Sequence, residues 1–176
     1  MGGPSWARLA GLVQEGFALY GLEGQSIRDF MRGPLGMADA YIEGAVSTVF
    51  LDYKPVDDLD SAIITSGCLV SLSAAMPGLV GAVMRRNSPY ASFREGISHD
   101  GKMDHDVAAV TRTCLVKVKL FNSIMREHGP SLLQRGILVE ASRLEAVLGN
   151  PLPKGYSTVP SEPGYLKLRA DAVPGS

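Results

Sequence analysis

The densest run of side chains able to move protons or hold a cation is His99-Asp100-Gly101-Lys102-Met103-Asp104-His105-Asp106. Imidazoles titrate near neutral pH, and together with carboxylates they ligate divalent metals. His99 and His105 are therefore candidate acid–base residues. His99, Asp104 and His105 are the candidate ligands for a divalent metal, the one cofactor class the sequence suggests. The spacing is neither that of the two-histidine metalloprotease helix nor that of the twelve-residue calcium loop. A plainer reading has the acids capping the helix expected from Val107 onward while the other side chains face water.

Asp52 and Lys54 form a second candidate pair at the end of an expected strand, followed by Asp57, Asp58 and Asp60 in an acidic turn. A strand end is a rigid place from which to aim catalytic groups at a ligand held by the adjoining loop. If the strand persists, Asp52 and Lys54 face the same side, although a solvated surface turn is the simpler account of them. Arg85, Arg86 and Arg94 flank the Asn87–Phe93 segment and supply guanidinium groups suited to phosphate or carboxylate. They are candidate substrate-binding residues together with Ser66, which lies in a glycine-containing turn. Surface or interface ion pairs are the structural alternative. Thr65-Ser66-Gly67-Cys68 lacks the glycine-flanked serine of a hydrolase elbow, so covalent catalysis is not its first reading.

These groups suggest a small-molecule metabolic enzyme that uses acid/base side chains on an anionic substrate. In this reading Asp52, Lys54, His99 and His105 are catalytic. A glycine-rich dinucleotide fingerprint is absent, which argues against hydride transfer. The alternative is a non-catalytic, homo-oligomeric structural or regulatory protein whose Gly67–Ala82 stretch and aliphatic helices make subunit contacts. Self-association is expected in both cases.

The chain has a formal net charge of −1, with 17 basic and 18 acidic residues, so it lacks the basic surplus of a nucleic-acid binder. The charge is nevertheless uneven, net −5 over residues 1–106 and net +4 over 107–176. The near-uncharged run Ser61–Val83 is diluted by Ser, Thr, Pro and Gly, which weighs against a membrane span. The two cysteines, Cys68 and Cys114, form no disulfide framework. With no signal-peptide pattern at Met1–Ser5, a cytoplasmic location is expected.

The elements that must position these groups follow from periodicity. Trp6, Leu9, Leu12, Val13, Phe17 and Tyr20 suggest an opening helix stopped by Gly21. Gln25–Met31 suggests a second, short helix ended by Gly33-Pro34. Ala45–Tyr53 has strand composition, Cys68-Leu69-Val70 fits either state with a lean to helix, and Pro77 suits the start of a new helix. Tyr90–Met103 reads as loop or short helical turns.

Val107, Val110, Cys114, Val118, Phe121 and Met125 fit a long helix reaching His128, and Leu133, Ile137, Ala141, Leu144 and Leu148 fit another from Ser131. Gly129-Pro130 would join them as an antiparallel hairpin. The expected fold is therefore α+β, predominantly helical, with that two-long-helix hairpin packed against N-terminal helices and a small sheet. Residues 1–150 would form a single globular domain. Residues 151–176 would be a Pro-rich extension lying on the domain or on a neighbour, with one short strand at Tyr165–Leu168.

Overall fold

A left-handed glycine decides how the chain opens. Gly16 has φ +127°, a conformation that an L side chain resists, and it ends helix α1 (Trp6–Glu15) and begins strand β1 (Phe17–Leu22). Leu9, Leu12 and Val13 are the buried stripe of α1. The apolar residues beyond Gly16 belong to the strand, so Gly21 does not stop a helix. Its missing side chain leaves space for Phe30 and Val116, each of which would lie 3.1 Å from a β-carbon there.

The computed structural model describes residues 6–94, 96–98 and 112–171. After β1 come α2 (Ile27–Arg32), α3 (Asp39–Gly44), β2 (Thr48–Leu51), β3 (Lys54–Pro55), β4 (Leu69–Ser73) and α4 (Gly78–Met84). A 3-10 turn at Ala91–Arg94 precedes β5 (Thr113–Leu120), α5 (Asn122–Arg135), β6 (Ile137–Glu140), α6 (Ala141–Leu148), β7 (Tyr156–Pro160) and β8 (Tyr165–Ala170). The strands form one eight-stranded sheet in the order β3-β2-β4-β5-β1-β6-β8-β7. Only β4 and β5 pair in parallel among the described strands.

This large mixed sheet overturns the expectation of a predominantly helical fold with a small sheet, and no dominant two-helix hairpin is present among the described residues. The expected helix from Val107 to His128 joined the alternating residues of β5 to the apolar residues of α5. Within β5, Cys114, Val116, Val118 and Leu120 are buried while Thr113 and Lys117 are exposed, the period of two proper to a strand. The second expected helix likewise spans several elements. Pro130 lies inside α5, Ile137–Glu140 is a strand, and α6 starts only at Ala141. Pro130 has no N–H for the helical ladder, while the His128 carbonyl accepts the Ser131 hydroxyl at 3.0 Å.

The β2 strand lies within the segment expected for it, and α2 overlaps the expected Gln25–Met31, ending one residue later. Ser26 caps α2 by accepting the Asp29 N–H at 3.1 Å. Leu69–Ser73 is a strand, against the lean to helix, and Pro77 is the N-cap of α4. The tail carries a full hairpin: β8 pairs with β6, and β7 with β8.

Helices α1, α5 and α6 pack together over one face of the sheet. That face supplies the core, with Phe17, Leu19, Val49, Val70, Leu72, Val116, Val118, Val139 and Leu168 buried beneath α1 residues and Ile124, Leu132 and Leu144. The side chains between them in sequence point to the other face. No helix among the described residues is long and apolar enough to cross a membrane.

Candidate functional site

Register places one row of side chains across the face opposite the core. Phe50 of β2 pairs with Ser71 of β4, and Ser71 with Lys119 of β5. Phe17 pairs with Val118 and Ala18 with Leu138, so one step further Gly16 lies between Lys119 and Glu140. Glu140 in turn pairs with Tyr165. The row therefore runs Phe50, Ser71, Lys119, Gly16, Glu140, Tyr165, with aromatic rings at its ends and opposite charges on either side of a glycine.

Its β4–β5 portion has the geometry that favours ligands in open sheets. The two strands are parallel, and past their carboxyl ends the chain leaves into α4 from one and α5 from the other. Crevices outside the carboxyl ends of such strands are the usual binding places. Here the crevice is a groove of about 620 Å³ lined by Phe50, Tyr53, Met76, Pro77, Phe121, Lys119, Ser71, Ser73 and Asn122, among others. That volume falls in the range of about 300–1,000 Å³ typical of small-molecule sites, and apolar walls with few polar groups are the usual lining.

Local backbone chemistry sets the polar members. Asn122 starts α5 at φ +54° and its amide nitrogen donates to the Ser73 hydroxyl at 3.0 Å. No side chain caps α5 at Phe121, so the positive end of the helix dipole opens at the groove. Thr48, which pairs with Ser73, is fully buried, and its hydroxyl has no hydrogen-bond partner among the described residues. Tyr53 is 79% exposed and held on a two-residue turn in which both Asp52 (φ +47°) and Tyr53 (φ +69°) are left-handed.

A second, smaller cavity of about 230 Å³ shares Tyr53 and Lys119 with the groove and adds Lys117, Glu140, Arg143 and Tyr165. Arg143 is engaged there: it donates to Glu15 at 3.0 and 3.2 Å and to the Gly16 carbonyl at 2.6 Å. No ion pair among the described residues involves Lys117, Lys119 or Glu140.

The residues singled out from sequence are distributed differently. The Asp52 carboxylate accepts the Leu69 N–H at 2.8 Å and so fixes the turn that carries Tyr53. Lys54 is exposed at the start of β3, beyond the reversal, so the two do not continue along one strand. Arg86 donates to the carbonyls of Ile42 (2.9 Å) and Val46 (3.0 Å). Arg94, 1% exposed, donates to Asp57 at 2.6 Å, to the carbonyls of Val83 and Arg85, and to the Ser98 hydroxyl. Arg85 is exposed, as is Ser66 in the turn before β4, and no hydrogen bond among the described residues links Ser66 to an arginine.

Burial opposes ionisation of Asp57, but the Arg94 guanidinium and the Asn87 N–H outweigh it and hold this carboxyl below the ordinary range. Burial pushes the Cys68 thiol up to about 11, leaving little thiolate at neutral pH. His128 is the histidine inside the described region, edge-on to Tyr41 with centroids 4.4 Å apart, and burial lowers its pKa.

His99, Asp104 and His105 lie outside the described residues. Among the described residues no three His, Cys, Asp or Glu side chains gather as a metal-binding group. The groove residues Lys119, Ser71, Ser73, Tyr53 and Asn122 were not singled out from sequence. The available signal was alternation in Thr113–Leu120, which puts Lys117 and Lys119 on one sheet face. Comparison with family models, with curated proteins and with solved structures returned no match to this chain.

Proposed function

We propose that this chain binds a small organic anion with an apolar body in the groove at the carboxyl ends of β4 and β5. The observation that carries the reading is the combination, in one crevice, of apolar walls from Phe50, Met76, Pro77 and Phe121 with the polar side chains Lys119, Ser71 and Ser73. The ammonium has no ion-pair partner among the described residues. A carboxylate there gains a charge-assisted hydrogen bond, and the uncapped first turn of α5 adds the same sign of potential.

The test is titration calorimetry with phenylacetate and hexanoate, set against phenylacetamide and hexanamide. Binding of the acids, with the amides weaker, is expected. Lys119→Met keeps the aliphatic stem and removes the charge, and should weaken the acids by about tenfold or more. Equal affinity for acids and amides, or for the acids with and without Lys119, would sink the reading. A catalytic form of this proposal would have Asp52, Lys54, His99 and His105 turn over the anion by acid/base chemistry, although neither Asp52 nor Lys54 lines the groove. The two buried free thiols, Cys68 and Cys114, fit a reducing, cytoplasmic setting.

A separate observation supports self-association. Leu79 (75% exposed), Val80 (63%), Phe93 (78%) and Ile97 (50%) leave apolar surface on α4 and the turn that follows it. Size exclusion coupled to light scattering should give a mass above one chain, reduced to one chain by Leu79→Glu with Phe93→Glu. A monomer across micromolar concentrations would remove this reading.

A further inference from the structure

The geometry points to a zwitterion as the ligand: a molecule with an apolar body in the larger cavity, an anionic group on Lys119 and an ammonium on Glu140, as in a free apolar α-amino acid. This rests on the groove reading above and extends it into the smaller cavity. The two cavities adjoin at Tyr53 and Lys119, which line both. An anion held on the Lys119 ammonium would thus lie at the border with the smaller cavity, which Glu140 lines.

Charge is sorted across this floor by strand. Lys117 and Lys119 stand on β5, Glu140 stands on β6, and between them β1 presents Gly16 and Ala18. With strands about 4.8 Å apart, Lys119 and Glu140 are separated by roughly 10 Å of backbone. Their side chains could lean together over the glycine, yet no ion pair joins them. A β-carbon at Gly16 would be in ordinary van der Waals contact with Lys119, 3.5 Å from Cγ and 3.6 Å from Cε, so the lysine stem lies over the glycine, on the side of Glu140.

The remaining charges do not compete for the ligand's ammonium. Glu15 is taken by Arg143, whose third donor goes to the Gly16 carbonyl. What is left is a cationic side formed by β5 and an anionic side formed by Glu140. A simple anion would satisfy the first and leave Glu140 facing it across the gap. A molecule bearing both charges satisfies the two sides together, with Phe50, Met76, Pro77 and Phe121 receiving its apolar part.

The experiment compares L-phenylalanine and L-leucine with N-acetyl-phenylalanine, which keeps the carboxylate and loses the ammonium, and with phenylalanine amide, which does the reverse. Calorimetry on the full chain should give tightest binding for the free amino acids and at least about tenfold weaker binding for each derivative. Glu140 is exposed, so Glu140→Gln should fold normally. It should weaken the free amino acids to the level of N-acetyl-phenylalanine and leave N-acetyl-phenylalanine unchanged. If N-acetyl-phenylalanine binds as well as phenylalanine and Lys119→Met weakens both, the anion reading stands and the zwitterion is overturned. If Lys119→Met changes nothing, the groove reading fails with it. Absence of binding by all four probes at millimolar concentration also overturns the zwitterion.

Discussion

Replacing Asp57 by alanine is expected to destabilise the fold by roughly 2–3 kcal/mol, less than the about 3–5 kcal/mol of a fully buried pair because the Asp57 side chain is 36% exposed and water screens it. Arg94 is 1% exposed, and among the described residues Asp57 is the carboxylate it contacts, at 2.6 Å. The other acceptors, Val83 and Arg85 carbonyls and the Ser98 hydroxyl, satisfy donors without neutralising charge. Asp57 also accepts the Asn87 N–H at 2.9 Å, so the same deletion releases both ends of the segment between α4 and Ser98. Urea denaturation should show the loss, and Asp57→Asn, which keeps a hydrogen-bond acceptor, should lie between alanine and wild type. The effect carries a pH signature. Because the folded carboxyl ionises below its ordinary value of about 3.9, its contribution is complete above that pH and is lost as pH falls through the folded value. Asp57→Ala should therefore remove part of the acid sensitivity of the wild type. Superimposable urea curves would mean that this ion pair does not hold the segment.

Gly81→Ala is expected to destabilise α4 although alanine is the better helix former. Propensity alone favours alanine by about 1 kcal/mol. Against it, a β-carbon at Gly81 would collide with the Met76 carbonyl group and approach the Met76 Cβ to 2.8 Å. Backbone cannot step aside as a side-chain tip can, and overpacking costs typically about 1–3 kcal/mol, enough to reverse the sign. Met76 and Pro77 wall the groove, so affinity for phenylacetate should fall along with thermal stability. A gain in stability, or stability lost without any change in affinity, would contradict this account. The contact is intrachain, so the mass in light scattering should not follow this substitution as it should follow Leu79→Glu with Phe93→Glu.

Legibility tracked how local the deciding interaction was. The strand around Val49, the helix capped by Ser26 and the strand at Tyr165 depend on their own residues and were readable. The stretch Leu115-Val116-Lys117-Val118-Lys119 has the strand period in itself, but apolar residues on both sides extended it into a plausible 3.6-residue stripe. Pairing with β1 on one side and β4 on the other selects the shorter period. Arg86 and Arg94 carried the signature of anion binders because a sequence gives no sign that backbone carbonyls and Asp57 would meet them. Lys119 stood out little for the converse reason: its setting is made by Phe50, Ser71 and Asn122, brought together by pairing and by the strand-to-helix junction.

The parallel pairing of β4 with β5 also bears on how the chain reaches its native state. β4 ends at Ser73 and β5 begins at Thr113, while β1 finds β5 from the far end of the chain. The sheet's centre is thus closed by contacts between remote segments, and the entropy of loop closure falls before those contacts are made. The terminal hairpin of β7 and β8 needs no such search. The groove between β4, β5 and their outgoing helices is complete only once those long-range contacts are in place. Any molecule that occupies it binds the completed fold in preference to partly folded chains, and its presence during refolding would draw the population toward the native end.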